Sequence, residues 1–375
     1  MILLSEDTQY NELIEHFRNW IIRLPESEHM MPLLKLRFKP EEAMFLSKIP
    51  FIGHTAEQLS AKLDILVKKL TKKLDKLARD GIIFRSEGRS EVRYSLRDSL
   101  FVFYRSIGWK GKNNKLSRKI SPLLNQYYIE TYAEEFVGHD TQGLRAIPIN
   151  KTIQDTRQIM PYEDILKVID NFEYYSVSTC PCSHRHNLDH DFEDCKYDLE
   201  RCLHFDDLGR YCVENGLGRE ITKEETLKIL RMSADAGLVH GISNTEGRMD
   251  TICNCCSCCC LFLESVVKMP GIIPRGHQPS NYTREVDSDK CVVCGLCARL
   301  CPMKALRVDN KKLLFDPERC IGCGVCAHKC KHNAAHLVHR EGEQDFPKDP
   351  REQGMRFLKE RGLDPNEVFR KNFIV

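Results

Sequence analysis

The chain has 375 residues, enough for two or three domains that each bury a core. Its 56 basic and 54 acidic residues leave a formal charge of +2, which excludes binding to nucleic acid or membranes through bulk charge alone. Nineteen cysteines is a high count, and they gather in local clusters instead of spreading as a disulfide framework would, so thiol ligands are expected.

No uncharged apolar run is long enough to cross a bilayer; even 258–267 is interrupted by Glu264. The start, Met1 to Asp7, lacks the basic stretch and apolar run of a secretory signal, so a cytoplasmic location is expected.

Residues 1–37 carry Leu13, Phe17, Trp20 and Ile21 at helical spacing, which predicts one amphipathic helix ended by Pro25. Over 38–107 the pattern predicts helices at 41–47, 55–63 and 65–79, a stop at Asp80-Gly81, and strands at 82–85 and 92–96 around Glu87-Gly88-Arg89-Ser90. Three helices and a two-stranded wing predict a winged helix-turn-helix. The third helix puts Leu66, Leu70, Leu74 and Leu77 on an inner face and Lys68, Lys69, Lys72, Lys73 and Lys76 outside. Such a face can meet DNA phosphates or an acidic protein. Lysines carry no base-specific readout, and Glu57, Asp64 and Asp75 interrupt the patch, so a solvated helix surface or a dock for an acidic protein ranks ahead of DNA.

The middle domain is expected at 108–272 and to be mostly helical. Its first part offers aromatic residues before it (Phe101, Phe103, Tyr104, Trp109), a basic loop at 110–119, and no catalytic constellation. Pro161-Tyr162-Glu163-Asp164 opens a predicted helix to about 172, and a strand at 174–179 delivers Cys180-Pro181-Cys182-Ser183-His184. Cys195 follows, and Cys202 is expected near the start of a helix reaching 215. Thr222 and Glu225 have the spacing of a capping box for a helix to Ala236, with Gly237 as its stop. Then comes Cys253-Asn254-Cys255-Cys256-Ser257-Cys258-Cys259-Cys260.

Cys180, Cys182, Cys195 and Cys202 are soft donors close in sequence and suit a third iron-sulfur cluster or a zinc ion. Neighbouring thiols among Cys253, Cys255, Cys256, Cys258, Cys259 and Cys260 cannot all face one metal, so some serve a second centre or none. His184, His186, His190 and His204 are candidate ligands or partners to ligands. Cys212 falls mid-helix and is expected in the core.

The domain expected at 273–340 carries two copies of C-x-x-C-x-x-C-x-x-x-C: Cys291, Cys294, Cys297, Cys301 with Pro302, and Cys320, Cys323, Cys326, Cys330. This spacing wraps three thiolates of one loop around a four-iron cubane while the fourth reaches the other cluster. The assignment is Cys291, Cys294, Cys297 and Cys330 to one 4Fe-4S cluster, and Cys320, Cys323, Cys326 and Cys301 to the second. Gly295, Gly322 and Gly324 permit the turns that aim backbone N–H groups at the sulfurs. A hairpin is expected around Asp309-Asn310. Eight cysteines in two even quartets exceed the needs of a zinc site.

These motifs resemble the bacterial two-cluster ferredoxin domain over about 283–340, with Lys331 where that family usually has proline. More broadly, the order of parts over about 38–340 resembles multidomain 4Fe-4S proteins of anaerobic bacteria and archaea. The likeness rests on the winged-helix-like start, the Cys180-Pro181-Cys182 loop, Ile252 to Cys260 reading I-C-N-C-C-x-C-C-C, and the dicluster tail. Ser183-His184 departs from that family's C-x-C-R form.

The fold class is then α+β multidomain: an N-terminal helical segment (1–37), a winged-helix-like domain (38–107), the cysteine-rich middle (108–272), the two-cluster ferredoxin-like domain (273–340) and a charged tail (341–375) with a helix at 351–361, free to cover the ferredoxin surface or a partner. The resemblance implies a 4Fe-4S electron-transfer protein or oxidoreductase subunit relaying single electrons through two clusters to or from a metal centre in the middle domain. The oxygen sensitivity of exposed clusters leads one to expect an anaerobic host, or at least a reducing space for this protein. No dinucleotide loop, Walker A loop or nucleophile elbow is present, so electrons come from a redox partner: a ferredoxin, a reductase or an oxidoreductase complex. Arg299, Lys304, Arg307, Lys311, Lys312, Lys329 and Lys331 favour an acidic one. The alternative is a redox-responsive winged-helix transcription regulator.

Overall fold

The computed structural model describes residues 6–88, 91–149, 152–153, 164–247, 249–269 and 275–373. The N-terminal segment forms two helices where one was expected, Glu6–Arg18 and Met30–Arg37. Between them Trp20 stacks flat on Phe51, ring centroids 4.6 Å apart.

Helices Pro40–Leu46, Ala56–Leu63 and Val67–Arg79 follow. Thr55 starts the second with a reciprocal cap: its hydroxyl accepts from Gln58 N–H while the Gln58 side chain accepts from Thr55 N–H. The third buries Leu70, Leu74 and Leu77. Leu66 does not join that inner face. It caps the helix with extended dihedrals and is 81% exposed, because helical spacing places a side chain only once helical dihedrals begin. Strands β1 (Ile83–Glu87) and β2 (Val92–Leu96) pair antiparallel; Arg89 and Ser90 of the expected turn lie outside the described residues.

The stretch after 98 has a larger role than its sequence suggests. A π-type turn at Phe101–Arg105 runs into the short helix Ser106–Gly108, and a second at Tyr128–Tyr132 joins helices Lys115–Tyr127 and Ala133–Val137. Such turns rotate side chains off the α-helical register and recur at functional sites.

The mostly helical middle domain requires correction. Its centre is a six-stranded antiparallel sheet: β3 (Leu144–Ala146), β4 (Tyr175–Thr179), β5 (Glu200–Phe205), β6 (Arg219–Glu220), β7 (Val239–Ser243) and β8 (Thr251–Cys255), in the order β3-β7-β8-β5-β4-β6. The strands are short, and several hold polar or cysteine residues on buried faces, which hides the usual alternation of apolar and polar residues. Cys202 lies within β5, ahead of the helix Asp206–Glu214, instead of near a helix start. Helix Ile165–Asp170 begins at Asp164; the expected opening at Pro161 to Glu163 lies outside the described residues. Helix Lys223–Ala236 starts at Thr222, whose hydroxyl accepts from Glu225 N–H, and ends at Gly237 with φ +83°.

In the C-terminal region β9 (Tyr282–Val286) pairs with β12 (Ala335–His339), and β10 (Leu306–Asp309) with β11 (Lys312–Phe315). The β10–β11 turn falls at Asn310 and Lys311, both with positive φ. The tail forms two helices, Pro350–Glu360 and Pro365–Asn372, which pack on the N-terminal segment and on the Glu135 region, where the sequence leaves open whether the tail covers the ferredoxin surface or a partner. Phe369 meets Trp20 edge-on at 6.0 Å, Asn372 accepts from Phe51 N–H at 2.9 Å, and Arg361 pairs with Glu135 at 2.6 Å. Among the described residues no helix is long and apolar enough to cross a membrane.

Candidate metal centres

In the region 291–330 the chain turns where a cluster loop must. Gly295, Gly322 and Gly324 have φ of +73°, +68° and +79°, the left-handed region that glycine enters without strain. Cys291, Cys294, Cys297 and Cys330 line one cavity together. Cys301, Cys320, Cys323 and Cys326 form a second neighbourhood, in which Cys320 acts by its charge on Cys301, Cys323 and Cys326. Backbone donors point at both crossing cysteines: Ala305 N–H to Cys301 Sγ at 3.3 Å and Ala334 N–H to Cys330 Sγ at 3.4 Å. Lys331, in place of proline, leaves Cys330 beside its expected partners. The two groups differ in depth. Cys294 is exposed, with Val292 at 60% exposure beside it, whereas Cys323 is buried. Burial pushes the Cys326 thiol up to about 12, so without a metal that sulfur stays protonated.

The domain docks on the middle unit through its buried side. His328 Nε2 lies 2.8 Å from Asp235 Oδ1, and Lys329 donates to the Asp235 carbonyl, both at the end of helix Lys223–Ala236. A Cβ on Gly324 would come within 2.6 Å of Thr152 Oγ1. Lys329 is thereby turned inward, away from the exposed basic set expected to meet a partner.

The middle cysteines fall into two groups that cut across the expected quartet of Cys180, Cys182, Cys195 and Cys202. Six form an arc, each thiol neighbouring the next: Cys180, Cys182, Cys260, Cys255, Cys253 and Cys202. All six line an enclosed cavity whose other wall is Leu100, Tyr104, Arg105 and Trp109, from the first π-type turn and its flanks. The second group gathers Cys195, Cys256, Cys258 and Cys259, with sulfurs all within 4.8 Å of one another. Strand geometry explains the division, since successive side chains alternate in direction. Cys253 and Cys255 on β8 share one side and join the arc, while Asn254 turns the other way to bond His240 and the Arg201 carbonyl. On β5, Cys202 joins the arc, while Arg201 lies between the groups, donating to Cys195 and Cys256 and lining the arc's cavity near Cys180.

Buried arginines surround these thiols, and sequence reasoning singled out none of them. Arg201 donates to Cys195 and Cys256; Arg105 lies near Cys202 and Cys253; Arg185 lies near Cys182. Burial works against their charge, yet neighbouring thiolates and carboxylates outweigh it and hold all three firmly protonated. Arg185 and His186 share the carboxylate of Glu264 at 2.6 and 3.0 Å.

The candidate histidines are engaged elsewhere. His186 bonds Glu264, His204 sits edge-on to Trp109 at 4.4 Å with burial lowering it to about 3, and His190 is exposed. His184 is buried, with backbone carbonyls of Gly111 and Lys112 as its partners. Cys212 is fully buried in the helix Asp206–Glu214 and belongs to neither group.

Fold and thiol clusters together give the chain a ferredoxin-like region and a separate cysteine-rich site. In agreement, the family model of a 4Fe-4S dicluster domain matches residues 284–331. No curated protein and no solved structure matches the chain.

Proposed function

We propose that this protein is an electron carrier or oxidoreductase subunit that passes single electrons between a partner and a buried iron-sulfur centre of the middle domain. The observation that carries the reading is the arc of six cysteines around one enclosed cavity, beside a dicluster domain. When bound, each cluster supplies a one-electron couple whose potential is set by burial and by hydrogen bonds to its sulfurs.

Cys291, Cys294, Cys297 and Cys330 would hold the cluster nearer solvent, and Cys301, Cys320, Cys323 and Cys326 the inner one. Supporting that order, the exposed side carries Val292 and Val308, ringed by exposed Arg299, Arg307, Lys311 and Lys312, a surface suited to an acidic redox partner. Of the inner cysteines, Cys301, Cys320 and Cys323 belong to or pack against the same apolar core as Cys182, Cys255 and Cys260. In the arc, thiolates of Cys180, Cys182, Cys202, Cys253, Cys255 and Cys260 exceed the four that one cubane takes, so the site suits a larger iron-sulfur centre or a cubane with spare thiols.

The test is EPR of dithionite-reduced protein for the wild type and for Cys260→Ala. The reading expects the variant to lose one component and to keep the ferredoxin signals; identical spectra would sink it.

A second reading, a redox-responsive regulator with a winged-helix domain, draws support from Lys68, Lys69, Lys72 and Lys76, all exposed on helix Val67–Arg79 ahead of the β1–β2 hairpin. Tyr211, on the helix that follows the Cys202 strand, donates to the carbonyls of Ala78 or Ile83 and so couples that unit to the cysteine site. Absence of a salt-dependent gel shift with genomic DNA in both redox states would dismiss it.

A further inference from the structure

The smaller thiol group is too compact for a cubane. Sulfur separations are 3.0 Å for Cys256 and Cys258, 3.1 Å for Cys256 and Cys259, 3.9 Å for Cys195 and Cys256, and 4.0 Å for Cys258 and Cys259. Four thiolates around one tetrahedral ion, with metal–sulfur bonds of about 2.3 Å, lie about 3.8 Å apart. A four-iron cubane holds its thiolates farther apart, because the width of the cluster separates them. We infer that Cys195, Cys256, Cys258 and Cys259 form a closed site for a single tetrahedral, thiophilic divalent ion of the zinc class, distinct from the six-thiol arc. It neither requires the electron relay nor follows from it.

A second observation points the same way. The guanidinium of Arg201, a side chain 3% exposed, donates to Cys195 Sγ at 3.5 Å and to Cys256 Sγ at 3.7 Å. Ser183, fully buried, donates to Cys195 Sγ at 3.2 Å and lies 3.0 Å from Cys259 Sγ. Arg201 also bonds Ser183 Oγ, which fixes both donors against the sulfurs. Four thiolates on a divalent ion leave two negative charges, and a buried arginine with hydrogen-bond donors is the outer shell such a group needs. With four protein sulfurs the ion keeps no open position, so its role is structural.

That role is specific. Cys195 precedes β5, Ser183 lies on the helix Pro181–His186, and the other three cysteines form the turn after β8. One ion therefore clamps the turn that begins with Cys256, which also borders the cavity of the arc, and ends by returning Cys260 to the arc. Coordination in the turn thereby positions an arc thiol.

The experiment is metal analysis of anaerobically purified full-length protein, with Cys258→Ser chosen because Cys258 is the exposed member, and Cys212→Ala as a control outside both groups. Expected are about one zinc per chain in the wild type and in Cys212→Ala, and none in Cys258→Ser, with the ferredoxin EPR signals retained. Wild-type protein without zinc, or Cys258→Ser that keeps it, would overturn the inference. Should the variant fail to fold, wild-type protein produced with cobalt decides: thiolate-to-cobalt charge transfer and tetrahedral ligand-field bands are expected, and their absence refutes the site. The relay is read from iron and sulfide, so the two claims fail separately.

Discussion

Glu264 is the carboxylate on which the buried Arg185 guanidinium and the His186 ring both depend, and its removal is the most informative single change. Its side chain is 1% exposed, as against 4% for Arg185 and 3% for His186, and Lys268 reaches the same oxygen as His186. Burial alone would raise the carboxyl, but Arg185, His186 and Lys268 hold it at about 2. The network joins the helix Pro181–His186 to the cysteine turn, since Arg185 also donates to the Cys259 carbonyl at 3.3 Å. Replacing Glu264 by alanine strands Arg185 in a dry site, a situation that costs about 3–5 kcal/mol. In thermal unfolding followed by circular dichroism that amounts to a drop on the order of 5 °C or more for a chain of this size. Lys268→Ala removes a partner that is 34% exposed and should cost about 1 kcal/mol or less. The double variant Arg185→Met/Glu264→Leu should recover much of the loss, because no charge is then left buried. A Glu264→Ala midpoint within about 1 °C of wild type would refute the argument.

Gly324→Ala places a methyl 2.6 Å from Thr152 Oγ1 at a φ of +79° beside Cys323, so it should displace the inner cluster loop and remove about four irons per chain; unchanged iron would contradict that. The pair Lys311→Glu and Lys312→Glu should slow reduction by an acidic ferredoxin about tenfold at low ionic strength, with the difference vanishing in high salt; a salt-independent effect would argue against electrostatic docking. Glu135 sits at about 2: burial raises it, and His139, Arg361 and the Arg23 N–H together outweigh burial. Because that value lies below its unfolded one, the contribution of about 3 kcal/mol is complete above about pH 4.5 and is lost as pH falls toward 2. Hydrogen exchange of the tail helices should rise across that window, and Glu135→Gln should abolish the pH dependence.

The dicluster region was legible in the sequence because cluster geometry dictates cysteine spacing and the glycines between. Gly295, Gly322 and Gly324 all take the backbone conformation their positions require, and β10 and β11 fall where alternation put them. The helix ending at Gly237 was legible for a similar local reason. The six-stranded sheet was not, because its neighbours come from distant segments and its strands are too short and too fully buried to alternate. The split of the ten thiols had one readable signal. In Cys253-Asn254-Cys255 the period of two puts Cys253 and Cys255 on one side, once the segment is known to be a strand, and Cys256 follows the strand's end. The π-type turn that brings Arg105 and Trp109 to the arc left no such mark, since it depends on one extra residue per turn inside an otherwise ordinary helix.

Iron and acid-labile sulfide per chain, measured on anaerobically purified protein, test the central claim most directly. The account predicts about twelve iron or more with matching sulfide, eight in the dicluster domain and the remainder in the six-thiol arc. About eight iron would confine the clusters to the dicluster domain and contradict an iron-sulfur centre between Cys180 and Cys260.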